Sequence, residues 1–281
     1  MKTLVKQLGM IAALAACAGL TAGTATAARG ISVKGSDTMV ILGQRWAEKY
    51  MGAHPGEIIQ VTGGGSGTGI AALINGTTDI CQASRPMKED EKRKLRDRFQ
   101  TLGTEIPVAQ DGLAVYVHES CPVKSLTIEQ LRLIYTGKIT NWKEIGGKDA
   151  RIILYSRENS SGTYVYFKDH VLKGQDYSAA CQNLPGTAAV VNAVSKDPNG
   201  IGYGGAAYAK GIKEVAVAKD AKSAPVLPTP ATIKDGSYPI TRNLYFYTRT
   251  KPAGKVKGFV DWVLSSEGQN VVTAVGYFPV R

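Results

Sequence analysis

The feature that most limits the fold open to this chain is an ordered repetition near its start, in which a short β-prone run, a polar or glycine-rich turn and a helical pattern follow one another three times. The run ISVKG (31–35) leads through Ser36-Asp37-Thr38 into a segment where Met39, Leu42, Trp46 and Tyr50 recur three or four residues apart. That spacing is one buried face of a helix. The run EIIQVT (57–62) enters Gly63 to Gly69 and a second apolar helical pattern, and DICQAS (79–84) ends at Ser84-Arg85-Pro86. Strand, turn and helix in alternation predict an α/β fold on an open parallel sheet. Ligands of such sheets bind beyond the carboxyl ends of the strands, where these turns gather.

The middle turn is the most distinctive. In VTGGGSGTGIAAL (61–73) a strand delivers Ser66 and Thr68 to a helix N-terminus, whose unpaired N–H groups and partial positive charge favour an anion. Spacing argues against two nucleotide motifs. No start between Gly63 and Gly65 places glycines at i, i+2 and i+5, and a start at Gly67 reaches only Ala72; Gly69 is followed by Ile70 rather than Lys-Ser/Thr. Two readings stay open on this stretch alone: an anion-binding turn, and a tight strand-to-helix turn with no ligand.

The same logic returns at IILYSRENSSGTYVYF (152–167), where a β-rich run ends at Arg157 and Ser161-Gly162-Thr163 opens a helix. A guanidinium offers a planar donor fork suited to an oxyanion, and hydroxyls and N–H groups supply further donors. Between the two turns, PVAQDGLAVYVH (107–118) is a strand candidate with a lone carboxylate, Asp111, at its entrance, and Thr127 with Gln130 forms a capping box ahead of Leu131, Ile134 and Tyr135. Trp142 anchors the loop that follows. Further on, PNGIGYGGAAY (198–208) packs backbone closely, AKSAPVLPTP (221–230) is a surface connection, YPITRNLYFYT (238–248) is strongly β-prone, and helices lie around 256–264 and 269–275.

Residues 1–27 carry Lys2 and Lys6, an apolar run and Ala25-Thr26-Ala27, the form of a secretory signal. Within it Leu14-Ala15-Ala16-Cys17 matches the pattern before a lipid-modified cysteine, so release after Ala27 and anchoring at Cys17 both stay open; either places the chain outside the cytoplasm. Removing the leader lowers the net charge from +11 to +9, which favours anionic partners. The basic residues are spread along the chain rather than gathered with aromatic platforms, which argues against nucleic acid, and KEDEKRKLRDR (88–98) reads as a solvated helix. Cys81, Cys121 and Cys181 allow at most one internal disulfide, with Cys81 a buried small hydrophobe, and the separated His54, His118 and His170 give no metal site. The length and the 43% apolar content suit one large domain or two ordinary ones.

Five segments together resemble the phosphate-binding component of bacterial phosphate-uptake ABC transporters, within the periplasmic binding protein superfamily. They are GSDTM (35–39), GGGSGTG (63–69), ASRPM (83–87), the pair DGLAVYV (111–117) and LTIEQLRLIYTGKITNW (126–142), and SRENSSGT (156–163). The resemblance implies the type II architecture: two α/β lobes, each a mixed, mainly parallel sheet flanked by helices, with ligand in the cleft between them. Crossings near Asp111-Gly112 and Tyr238 to Asn243 divide the chain into a discontinuous lobe I (28–111 and 239–281) and lobe II (112–238). The implied phosphate contacts are Thr38, Ser66, Arg157, Ser161, Gly162 and Thr163, with Ser84 and Arg85 as further donors and Ser36, Asp37 and Thr68 as neighbours of weaker claim.

One departure from the family pattern bears on mechanism. Some members carry an aspartate directly after the Ala-Ser that ends the third strand, and it accepts a hydrogen bond from the proton on bound phosphate; here that position is Arg85. The expectation is that Asp111 supplies the acceptor, with Asp37 in reserve and Arg85 either donating or orienting Asp111. The resemblance further implies a monomer that delivers inorganic phosphate to a membrane permease, with no cofactor. A binding protein for sulfate or molybdate is the nearest alternative. A phosphatase-type hydrolase built on Ser66 or Ser161 would need an adjacent base, and no histidine lies in a partner segment.

Overall fold

The structure, a computed structural model, describes residues 30–280; the leader, its cleavage site and Cys17 lie outside the described residues. The three opening strand–turn–helix units form as the pattern predicts. Strand β1 (Ile31–Gly35) leads through a 3-10 turn (Asp37–Met39) to α1 (Val40–Ala53), β2 (Ile59–Thr62) to α2 (Ser66–Asn75), and β3 (Ile80–Ala83) to the highly charged α3 (Glu89–Phe99). Met39, Leu42, Trp46 and Tyr50 are all buried, and α3 buries only Leu95, as expected of a solvated helix. Strands β2 and β3 pair with β1 in parallel.

The next strand, β4 (Thr104–Val117), is longer than the sequence suggests, so Asp111 lies in its middle rather than at its entrance. Then come β5 (Ser125–Thr127), α4 (Ile128–Tyr135), β6 (Ile153–Arg157), α5 (Gly162–His170), β7 (Gln182–Leu184), α6 (Gly186–Lys196), β8 (Gly200–Gly205) and β9 (Lys213–Ala218). A short α7 (Pro230–Lys234), β10 (Thr241–Thr248), α8 (Gly254–Val263) and α9 (Ser266–Val275) close the chain. Thr127 and Gln130 make the predicted capping box, Gln130 N–H donating to Thr127 Oγ1 at 3.0 Å and Thr127 N–H to Gln130 Oε1 at 2.9 Å.

The sheet runs β2-β1-β3-β10-β4-β8-β6-β7, mixed in direction because β10 is antiparallel to both β3 and β4. Strand β4 changes partner in its middle: residues through Gly112 face β10, and from Leu113 onward they face β8 and β9. The cores divide there too. Val108 and Ala109 belong to a cluster with Ile31, Val33, Trp46, Phe246 and Phe259, whereas Leu113, Val115 and Val117 belong to one with Tyr135, Trp142, Phe167 and Tyr203. The two-lobed architecture follows from this arrangement, with β4 running from one core into the other. The glycines of β8 serve packing, as a Cβ on Gly202 would lie 2.6 Å from Val190 and one on Gly204 2.6 Å from Thr187, both on α6. Cys81, Cys121 and Cys181 are unpaired thiols. Among the described residues no helix is long and apolar enough to cross a membrane.

Candidate anion-binding site

The turns that end β1, β2 and β3 meet the turn that ends β6. Gly64 and Gly65 have φ of 106° and 92°, a backbone that glycine adopts readily and that turns β2 sharply into α2. Ser66 is thereby placed at the first position of α2, where its Oγ accepts from the Ser84 N–H at 3.0 Å and lies 3.3 Å from Ser84 Oγ. Ser36 Oγ–H donates to Ser84 Oγ at 2.9 Å, so hydroxyls from all three turns form one buried cluster. Thr68 is half-buried in the first turn of α2.

From the other side, Ser161 caps α5, its Oγ accepting from the N–H groups of Thr163 (3.2 Å) and Tyr164 (3.3 Å). Thr163 Oγ1 lies 2.8 Å from Thr38 Oγ1, and Gly67 N–H donates to the Ser160 carbonyl at 2.9 Å. Gly162 sits against the serine cluster, where any Cβ would fall 2.3 Å from Ser66 Oγ. Arg157 is fully buried. Its Nη1 donates to Thr187 Oγ1 (2.8 Å), its Nη2 to Asp37 Oδ2 (3.1 Å) and Glu158 Oε1 (2.9 Å), and its Nε to Glu158 Oε2 (3.2 Å). Asp37 Oδ1 accepts from Gly64 N–H at 2.8 Å. Burial pushes the Glu158 carboxyl up, but Arg157 and the Gly186 amide outweigh it and hold the group below its ordinary range.

Asp111 lies at 0% exposure, and Arg242 on the neighbouring strand holds its Oδ2 through Nη2 (2.8 Å) and Nε (3.0 Å). Arg242 Nη1 donates to the Ser84 carbonyl at 3.1 Å, which ties the pair to the serine cluster. Asp111 Oδ1 is buried against the backbone at Gly205 and Ala206, whose amide faces the carboxyl. Burial raises the Asp111 carboxyl above its ordinary value, and Arg242 and the Ala206 amide only partly offset this.

The structure therefore brings together Ser36, Asp37, Thr38, Ser66, Ser84, Arg157, Ser161, Gly162 and Thr163, with Asp111 tied to them through Arg242. It does not bring Arg85 to them. That guanidinium is committed to Glu91 at 2.8 and 2.7 Å and to the Pro86 carbonyl at 2.9 Å, and the cation that orients Asp111 is Arg242. Sequence reasoning missed Arg242, Thr187 and Glu158. Each left a trace: an arginine inside the β-prone run 238–248, a third turn-to-helix signature at Gly186-Thr187, and an acid next to Arg157.

The arrangement can hold an oxyanion and offers no hydrolytic machinery. His54, His118 and His170 bond locally, to the Tyr50 carbonyl, Ser120 and the Tyr166 carbonyl, and none reaches Ser66 or Ser161. Among the described residues no cluster of histidine, cysteine, aspartate or glutamate is placed to hold a metal.

Two cores joined by β4, with donor-rich turns from both converging between them, define a two-lobed substrate-binding protein. The sequence matches the PBP superfamily domain over residues 20–267, and the chain belongs to that superfamily. It is 36% identical over 267 residues to the Phosphate-binding protein PstS of Pseudomonas aeruginosa, covering 89% of this chain and 83% of that one. It is 35% identical over 254 residues to the protein of the same name from Staphylococcus haemolyticus, covering 87% and 79%. Among solved structures, a Clostridium perfringens substrate-binding protein assigned to phosphate ABC transport and solved with bound phosphate superposes with a TM-score of 0.82 at 32% identity, over 90% of this chain and 100% of that one. An ABC-type phosphate transport receptor from Vibrio cholerae superposes at 0.71 with 29% identity, over 88% and 99%.

Proposed function

We propose that this chain captures inorganic phosphate outside the cytoplasm and delivers it to the permease of an ABC importer. The observation that carries this reading is the meeting of Ser36, Thr38, Ser66 and Ser84 with Ser161 to Thr163 over a fully buried Arg157, a set of donors that matches an oxyanion in chemistry. Relatives named for phosphate binding across most of their length support phosphate as that anion.

On this reading residues 28–111 and 239–281 form one lobe and 112–238 the other, and bound anion favours closure because only the closed state satisfies it from both sides. Asp111, buried and tied to the serine cluster through Arg242, accepts the hydrogen bond from the proton of bound phosphate, and Asp37 is the reserve. Residues 1–27 direct export, with release after Ala27 or anchoring at Cys17. The protein works as a monomer and needs no cofactor.

Calorimetry with phosphate, arsenate, sulfate and molybdate tests the reading. Tight binding of phosphate with weak binding of sulfate and molybdate is the expected result. Preference for either of the latter would replace phosphate as the ligand, and no binding of any of them would overturn oxyanion capture.

A further inference from the structure

Tyr208 stands outside every residue set assigned to the anion, yet its hydroxyl reaches the wall of the site. It ends the 3-10 turn Ala206–Tyr208, which follows β8, and its Oη–H donates to the backbone carbonyl of Asp37 at 2.8 Å. The carboxylate of the same Asp37 is held by Gly64 N–H and by Arg157. The next carbonyl, that of Thr38, accepts from Tyr277 Oη at 2.5 Å, so two tyrosines hold consecutive carbonyls of the turn Asp37–Met39.

The two tyrosines come from different sides. Tyr277 packs in the core of Ile31, Trp46 and Phe246, the same side as Asp37. Tyr208 packs with Ala114, Tyr116, Val190 and Val194 beneath the β4–β8 pair, on the far side of the partner change in β4, while its neighbour Ala207 reaches across to the core that holds Tyr277. Burial pushes its phenol up to about 12, with Arg157 acting against the rise, so the hydroxyl keeps its proton across the neutral range.

We propose that Tyr208 is an interlobe latch: its hydrogen bond to the Asp37 carbonyl closes only when the lobes are shut, fixes Asp37 opposite Arg157, and slows release of an anion that it never touches. The latch rests on the two-lobed phosphate-capture reading. Opening exchanges the bond for water, so it contributes to the closed state what one ordinary net hydrogen bond does. Tyr208 is accordingly a positioning residue that acts through Asp37, and its effect belongs in the release rate, since the bond forms after encounter.

The test is Tyr208→Phe in the full mature chain, with phosphate association and release followed by stopped-flow fluorescence of a reporter dye and affinity by calorimetry. Release about five-fold faster, association within two-fold of wild type and a Kd about five-fold weaker are expected. The ligand-free thermal midpoint and the compaction at saturating phosphate should stay at their wild-type values. Release at the wild-type rate would overturn the latch, as would a lower ligand-free midpoint with an unchanged release rate, which marks a packing role alone. A wild-type chain that binds no phosphate would overturn the capture reading and the latch with it, so the two failures are told apart by the wild-type titration.

Discussion

Gly162 opens α5 where the two sets of turns meet, which makes Gly162→Ala a direct probe of closure. A Cβ there would stand 2.3 Å from Ser66 Oγ, 2.7 Å from Ser84 Oγ and 2.9 Å from Ser66 Cβ. The φ of Gly162 is not in the left-handed region, so alanine adds no backbone strain and brings its better helix propensity. Ser66 Oγ cannot swing aside freely, because it accepts the Ser84 N–H. Contact distances of about 3.5 Å are then reached only if the turns stop about 1 Å short of their present approach. Overpacking of this kind costs about 1–3 kcal/mol, and 1.4 kcal/mol is tenfold in affinity, so the phosphate Kd should rise about 5- to 150-fold. The ligand-free thermal midpoint should hold or rise. Calorimetry reads the affinity and small-angle scattering reads compaction on adding phosphate. Wild-type affinity with wild-type compaction would show that the turns do not close as described, and the reasoning would fail.

Arg157→Lys replaces a fork engaged with Asp37, Glu158 and Thr187 by a single point charge, and phosphate affinity should fall by roughly 10- to 100-fold in calorimetry. Asp111→Asn strips the buried Arg242 of its counter-charge, so urea melts should show a loss of about 3–5 kcal/mol. If that variant keeps the wild-type phosphate-over-sulfate preference, Asp111 does not accept the hydrogen bond from bound phosphate. Glu214, partly buried with an unpartnered Oε1, has its carboxyl pushed by burial from 4.5 up to about 7. The folded chain then holds this proton more tightly than the unfolded chain, so its contribution to stability falls as pH rises from about 4.5 to about 7. Glu214→Gln should melt above wild type at pH 8 and level with it at pH 4, and equal melting at both would refute the assignment.

What could be read from the sequence was what local chemistry dictates. Met39, Leu42, Trp46 and Tyr50 lie on one buried helical face because burial has the period of the helix, and Thr127 with Gln130 makes its capping box because both partners lie within one turn. The hydroxyls of Ser66 and Ser161 sit at helix starts for the same reason. The contacts that assemble the site are not local. Arg242 pairs with Asp111 across 131 positions and Tyr208 reaches Asp37 across 171, through a strand order in which β10 is inserted between β3 and β4. Nothing in a short stretch records that insertion. Arg85 misleads for the converse reason: its partner Glu91 is six residues away, one turn into a helix whose charges read as a solvated face.

The balance of charge around the turns bears on what distinguishes one oxyanion from another. Arg157 faces both Asp37 and Glu158, and Arg242 is spent on Asp111, so the cations are outnumbered by carboxylates. Hydroxyls such as those of Ser36, Ser66, Ser84, Thr38 and Thr163 cannot discriminate by protonation, because each can donate or accept as its rotor suits. An ionised carboxylate only accepts. On the proposed reading it welcomes an anion that still carries a hydrogen and repels one that does not, so selectivity against sulfate comes from a penalty rather than from an added attraction. Both Asp37 oxygens already accept strong donors, from Gly64 and Arg157, whereas Asp111 is held at Oδ2 by Arg242 and buries Oδ1 against the Gly205–Ala206 backbone. On the proposed reading a desolvated acceptor gains most from the hydrogen of a bound ligand, which puts Asp111 ahead of Asp37, and the charge of Arg242 opposes the rise that burial imposes on the Asp111 carboxyl.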